Sequence, residues 1–196
     1  MKIAIFASTR GTVLPEIFEL HHDASNSIEL VFFTNKEVCE ARKKAETSGI
    51  PVFFVNPEKA EISGKIVKKT REEYDFEVVK ILESEKIDFI FLIGYMRIIS
   101  GLFVSAYSQK ILNIHPSLLP AFAGGMDNDV HSAVLKAGCK ISGATLHYVT
   151  EEVDAGEIFA QKSCKISEDE TPETLKVKVQ KLEKEMIREA MLGLTR

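Results

Sequence analysis

Short apolar runs alternate with longer amphipathic stretches along most of the chain. Ile3–Ala7, Leu30–Phe33, Pro51–Val55 and Phe89–Ile93 are almost purely apolar. That is the pattern of strands covered on both faces. Val13–Leu20, Lys36–Ser48 and Thr70–Glu85 read as the helices between them. Gly49 stands where the second helix would stop, and the third has an apolar stripe at Tyr74, Val78, Ile81 and Leu82. No element is assigned between Val55 and Thr70. Strand and helix in alternation predict an α/β fold with right-handed crossovers. The expected architecture is a mainly parallel, twisted, Rossmann-like sheet with helices on both faces. The last third changes character. Gly143–Val149 alternates small, polar and apolar residues, and Ile158–Ile166 does so more loosely, as antiparallel strands with one exposed face would. Thr171–Leu194 reads as a long helix with Leu175, Val179, Leu182 and Met186 on its buried side.

Composition narrows the function classes. The chain has 196 residues, 45% hydrophobic and 28% charged, with a net charge of -4. That size suits one domain, 1–196, with a full core. A generic polyanion binder needs a concentrated positive field, so nucleic acid is not expected, while a phosphate on a small substrate needs only a local site. Cys39, Cys139 and Cys164 are far apart and show no metal-ligand spacing. They read as reduced thiols of a cytoplasmic protein with no zinc site. The first apolar run is too short for a signal-peptide core. No run reaches the roughly 18 residues of a membrane helix.

In open α/β sheets, ligands collect outside the carboxyl ends of the strands. That rule selects three segments: Ser8–Thr12, Gly94–Ser100, and the chain after Ile111–Ile114. The third begins Asn113-Ile114-His115-Pro116-Ser117-Leu118-Leu119-Pro120. In an extended strand, Asn113 and His115 point the same way. An amide can donate to a developing oxyanion and an imidazole can move a proton; the same pair could equally be a satisfied strand end. In Thr150–Gly156 three carboxylates sit in a loop. Glu151 and Glu152 fit a solvated turn, whereas Asp154 precedes an Ala-Gly pair that permits close backbone approach. A carboxylate reaching His115 would orient the ring and favour its charged form. Gly94–Ser100 stays apolar around Arg97, as a slot for a flat ring would, or as a buried connector with Arg97 turned to water. Ser8–Thr12 enters a helix N-terminus, where backbone amides bind phosphate, but one glycine makes neither a dinucleotide fingerprint nor a Walker loop.

Taken in order, these segments resemble the folate-dependent formyltransferase family. The likeness runs from the first strand and its loop, through Gly94-Tyr95-Met96-Arg97-Ile98 and Asn113–Pro120, to His147-Tyr148-Val149 and Asp154. The resemblance implies formyl transfer from 10-formyltetrahydrofolate, a co-substrate, to the amine of glycinamide ribonucleotide in purine biosynthesis. It implies no metal and no covalent enzyme intermediate. Asn113, His115 and Asp154 match the catalytic trio. Arg71, Met96, Arg97, Ile98 and Ile99, with Asn113, match folate-binding positions. Gly11, Thr12 and Val13 match the phosphate loop, and Gln180 and Glu183 match positions near the ribose. Two departures stand out. The family's Gly-Ser-Asn is here Gly11-Thr12-Val13, so an Asn side chain is lost. The segment Phe122–His131 is longer than usual and reads as a mobile flap, with His131 expected on a helix surface rather than reaching into the site, the alternative it leaves open.

Two relatives of the same family compete for the assignment. A 10-formyltetrahydrofolate deformylase would use the same trio with water, but carries an N-terminal regulatory domain for which a strand at Met1 leaves no room. A methionyl-tRNA formyltransferase would carry a further C-terminal domain. A non-catalytic folate or nucleotide-binding module would have no need of all three trio residues. Oligomeric state is left open, a homodimer included.

Overall fold

The structure, a computed structural model, describes residues 1–62, 65–125 and 128–194. It divides into two compact units, Met1–Ile111 and Leu112 onward. The first unit contains β1 (Lys2–Phe6), α1 (Leu14–His22), β2 (Glu29–Thr34), α2 (Glu40–Thr47) and β3 (Val52–Phe54). A hairpin follows, of β4 (Glu58–Ile62) and β5 (Lys65–Lys68), and then α3 (Arg71–Ser84), β6 (Phe89–Leu92) and α4 (Gly101–Ala106). The strand order is β3-β2-β1-β6, and every neighbouring pair is parallel.

Strand alternation decides which helix covers which face. Phe6 and Phe33 are register partners and stack at 4.9 Å. Phe103 of α4 packs on the same face, 5.9 Å from Phe6. Phe32, one residue earlier on β2, points the other way and meets Phe18 of α1 edge-on. Helices thus cover both faces, and all five of these rings are buried. Thr70 and Glu73 form a capping box that starts α3, each satisfying an amide the helix would otherwise leave open.

The second unit contains the rest of β7 (Ile111–His115), α5 (Asn128–Lys136), β8 (Ile141–Tyr148), β9 (Ile158–Lys165) and α6 (Pro172–Gly193). Its strands run β7-β8-β9 and are antiparallel, as the alternating pattern of the last third predicts. Leu175, Val179, Met186 and Ile187 of α6 are buried, and α6 packs on β8 and β9. Leu182, expected on that stripe, is only half-buried. The β4–β5 hairpin, α4 and α5 are elements the hydrophobic pattern does not assign. Among the described residues no helix is long and apolar enough to cross a membrane.

Candidate active site

In the first unit the strand order reverses beside β1, whose neighbours are β2 and β6. At such a switch point the loops leaving two adjacent strands splay apart and leave room for a ligand. The loops here are Ser8–Val13 after β1 and Gly94–Ser100 after β6. They are tied at their bases: Ser8 N donates to Gly94 O at 3.1 Å, and Met96 N donates to Ser8 Oγ at 3.4 Å.

Ser8–Val13 is shaped by its backbone. Gly11 has φ +57°, and a Cβ there would meet Leu14 Cδ1 at 2.6 Å and Ala41 Cβ at 2.9 Å. Only glycine suits both the angle and the space. Val13 stands at the N-cap of α1 without a side-chain cap bond and is buried. Thr12 is exposed.

Gly94–Ser100 alternates in exposure. Met96 and Ile98 are 46% and 54% exposed, while Tyr95 and Ile99 are buried. Arg97 does not simply turn to water, the plainer of the two sequence readings. Its guanidinium lies 4.1 Å from the centre of the Tyr74 ring, a cation–π arrangement. The loop is gripped from α3 by Asp75, which is fully buried and accepts from Ser100 N at 2.5 Å. Burial raises the Asp75 carboxyl, against the pull of the Ser100 hydrogen bonds and of Arg97 and Arg71. Asp75 Oδ1 and Arg97 Nε are buried without a hydrogen-bond partner among the described residues.

The second unit holds a cluster of side chains. Asn113 and His115 leave β7 on one side, and β8 places His147 opposite Asn113. Asp154 reaches them from the β8–β9 loop. Its Oδ2 is 3.3 Å from His115 Nδ1, and its Oδ1 is 3.5 Å from His147 Nε2. The loop can bring Asp154 there because Gly156 has no side chain; a Cβ would sit 1.7 Å from the Tyr148 carbonyl oxygen. The chain leaving β7 is braced by Thr145. Its Oγ1 accepts from Leu119 N at 3.0 Å and from Gln161 Nε2 at 2.9 Å, and donates to Ser117 O at 2.7 Å.

Hydrogen-bond bookkeeping fixes the orientation of the groups. His147 Nδ1 must donate to Tyr148 O, 2.9 Å away, because a carbonyl only accepts. Nε2 then faces both Asn113 Nδ2 at 3.0 Å and Asp154 Oδ1 at 3.5 Å: it accepts from the amide in the neutral ring and donates to the carboxylate in the protonated one. With that ring neutral, the amide of Asn113 is oriented by His147, with one of its two N–H hydrogens given to the ring.

His115 is flanked by two acceptors, Asp154 on Nδ1 and the Phe122 carbonyl 3.1 Å from Nε2. Both would be met at once only by the doubly protonated ring. Burial opposes that form more strongly. It holds the His115 pKa below the ordinary value, against Asp154 and the Phe122 carbonyl, with His147 adding to the lowering. The sequence expectation that Asp154 favours the charged ring is right as to the pair, but the net direction is downward. For Asp154, burial pushes upward, yet the His147 ring, the Gly124 amide and His115 together hold its carboxyl below the usual range.

The formyl transferase family model matches residues 1–191. The chain belongs to the formyl transferase family. It is 35% identical over 186 residues to phosphoribosylglycinamide formyltransferase of Bacillus subtilis, covering 93% of this chain and 88% of that protein. The crystal structure of phosphoribosylglycinamide formyltransferase from Bacillus halodurans superposes with a TM-score of 0.86 at 34% identity, covering 99% of this chain and 95% of that one. The trifunctional purine biosynthetic protein adenosine-3 of Gallus gallus is 38% identical over 184 residues. Those residues are 93% of this chain, which spans only 17% of that protein's length.

Within this formyl transferase chain, the structure brings Asn113, His115 and Asp154 together, and adds His147. The residues from Gly11 to Val13 and from Met96 to Ile99 lie on the two switch-point loops, with Arg71 at the start of α3. Gln180 and Glu183 are half-buried on α6. His131 is buried in α5, which corrects the expected helix-surface position; α5 is amphipathic and turns this residue inward. The expected flap over Phe122–His131 includes 126 and 127, which lie outside the described residues. Of the rest, Phe122 and Gly124 are bound to His115 and Asp154, the latter through Gly124 N to Asp154 Oδ2 at 2.8 Å. Asp75 and Thr145 escape the sequence reading, and His147, named there only in the family likeness, is given no role by it. The pairing of β8 with β7 supplies that role.

Proposed function

We propose that the chain transfers a formyl group from 10-formyltetrahydrofolate to the amine of glycinamide ribonucleotide, a step of purine biosynthesis, in the cytoplasm. The observation that carries this reading is the cluster of Asn113, His115, His147 and Asp154: an amide against one ring, and a carboxylate within 3.5 Å of two imidazoles. The family membership and the names of the relatives point the same way. Residues 1–196 act as one formyltransferase domain in this reading.

The amine nitrogen attacks the formyl carbon, and the carbonyl electron pair moves to oxygen. Asn113 donates its second amide hydrogen to that oxygen, and its aim is set by His147. A preorganised donor of this kind needs no rearrangement as charge develops. His115 Nε2, the nitrogen turned away from Asp154, exchanges the Phe122 carbonyl for the reacting groups. It takes a proton from the amine and returns one to the leaving nitrogen of the folate. The C–N bond to the folate breaks and tetrahydrofolate leaves. Asp154 stabilises the imidazolium formed in between, offsetting the burial that disfavours it.

The remaining assignments belong to the same proposal. Arg71, Met96, Arg97, Ile98, Ile99 and Asn113 hold the folate, with the exposed Met96 and Ile98 offering apolar contact. Gly11, Thr12 and Val13 hold the phosphate through backbone amides, which is why losing the family's Asn side chain is tolerated. Gln180 and Glu183 serve the ribose. The test is to supply purified protein with 10-formyltetrahydrofolate, with and without glycinamide ribonucleotide, and follow release of tetrahydrofolate. Release that depends on the amine is the expected result. Equal release without it would make the protein a deformylase.

A further inference from the structure

Lys44 of α2 lies behind the Ser8–Val13 turn. Its ammonium donates to two successive carbonyls, Arg10 O at 2.7 Å and Gly11 O at 3.2 Å. In a planar trans peptide, the C=O of one residue and the N–H of the next point in opposite directions. A carbonyl of Arg10 turned toward Lys44 therefore sends the Gly11 N–H away from it. The Gly11 carbonyl does the same for the Thr12 N–H. One cation thus aims two consecutive amides to the far side of the turn. Successive N–H groups presented in this way form an anion-binding concavity.

Gly11 has no side chain, and Val13 is buried without a capping bond. The neighbouring contacts place Lys44 for the role. Ala41 N donates to Thr9 O at 3.1 Å, so the first turn of α2 is fastened to the loop one helical turn before Lys44. Gly11 packs so closely on Ala41 that an added Cβ would clash. Leu14 N also donates to Gly11 O at 3.2 Å, which joins the same carbonyl to the start of α1.

Resting on the reading of this turn as the phosphate loop, we propose that Lys44 is a positioning residue for the ribonucleotide phosphate. It does not touch the anion. It fixes the two peptide units with their N–H ends outward, and its charge at their carbonyl ends increases their polarisation toward a bound anion. A surface lysine that merely decorates a helix would leave phosphate recognition unchanged, and that difference is measurable.

The experiment compares the full chain with Lys44→Ala and Lys44→Arg. The readouts are KM for each substrate, inhibition by inorganic phosphate, and the thermal midpoint. In the unaltered protein, inorganic phosphate is expected to compete with the ribonucleotide and not with the folate. Lys44→Ala should raise the ribonucleotide KM and the phosphate inhibition constant together, by about five- to twentyfold. The folate KM should move less than about twofold, because that substrate makes no use of the turn. Lys44→Arg should recover most of the loss, since a guanidinium can also donate to two carbonyls. An unchanged phosphate inhibition constant in Lys44→Ala, with competition intact in the unaltered protein, overturns the role of Lys44 alone. A parallel rise of both KM values with a lowered thermal midpoint overturns it as well, by showing a general loss of fold. Absence of phosphate competition in the unaltered protein removes the phosphate-loop reading, and this proposal with it.

Discussion

At the end of β7, four side chains gather against one another: an amide, two rings and a carboxylate. In the turn after β1, Gly11 has no side chain, Thr12 is exposed and Val13 is buried, and the groups aimed by Lys44 are peptide N–H groups. The first arrangement depends on residue type at every position. The second depends on conformation, and each position tolerates whatever keeps the chain on course. The loop after β6 shares one feature with the second kind, although Met96 and Ile98 also expose apolar side chains. It too is shaped from behind by one charged residue, Asp75 on the Ser100 amide, as the first turn is by Lys44 on two carbonyls. A site made of side chains is written directly in the sequence, whereas a site made of backbone is written in residues that never reach the ligand.

The largest expected effect tests the side-chain half of this comparison. Asp154→Asn keeps the shape and a hydrogen-bond acceptor but loses the charge. Turnover should fall by about 10²–10³-fold, the order seen when a preorganised polar group of an active site is lost. The sign of the pH effect follows from the balance at His115. Burial lowers its pKa and Asp154 raises it, so removing the carboxylate lets burial act further. The His-linked limb of the kcat/KM profile should move to lower pH. A limb that stays in place, or turnover within tenfold of the parent, would show that Asp154 does not govern the ring.

This difference also explains what the sequence made legible. Asn113 and His115 were readable because strand alternation puts both on one side, and Asp154 because a small pair follows it. The role of His147 depends on which residue of β8 faces Asn113, a register that no local pattern specifies. Asp75 follows Glu72 and Glu73 on a charged helix and reads as solvent-facing, although it is fully buried. Lys44 ends the run Arg42-Lys43-Lys44, which reads as a solvated face. The hairpin over Glu58–Lys68 has too many charges to register as strands, and α4 is too short for a period to show. The long alternation of strand and helix sufficed for the fold class because buried strands and amphipathic helices have distinct periods.

A middle-sized effect tests whether Asp75 grips its loop as a strained acid. Burial raises its carboxyl in the folded chain. The folded state therefore binds the proton more tightly than the unfolded chain does. As pH rises from the ordinary carboxylate range through the folded value, the parent loses stability that Asp75→Asn does not. The variant retains an oxygen for the Ser100 amide. Its urea midpoint relative to the parent should thus be more favourable at about pH 8 than at about pH 4. A difference independent of pH would mean that the carboxylate is charged at no cost in its buried position.

The smallest effect is expected in the turn. Thr12→Ala removes an exposed side chain and leaves the amide. The ribonucleotide KM should change less than about twofold, within the range of surface substitutions. A rise of tenfold or more would place the Thr12 hydroxyl on the substrate and erase the distinction between the two kinds of site.

Asp154 adopts φ +55°, a left-handed backbone that Asp, Asn and Gly accept far more readily than other residues. Chemistry and conformation thus select this position separately. A descendant that had given up the reaction while keeping the fold would be released from the carboxylate but not from the angle. Drift in such a lineage would collect Asn or Gly here and little else. The residue at this one position would then serve as a marker of lost activity among chains that still look intact.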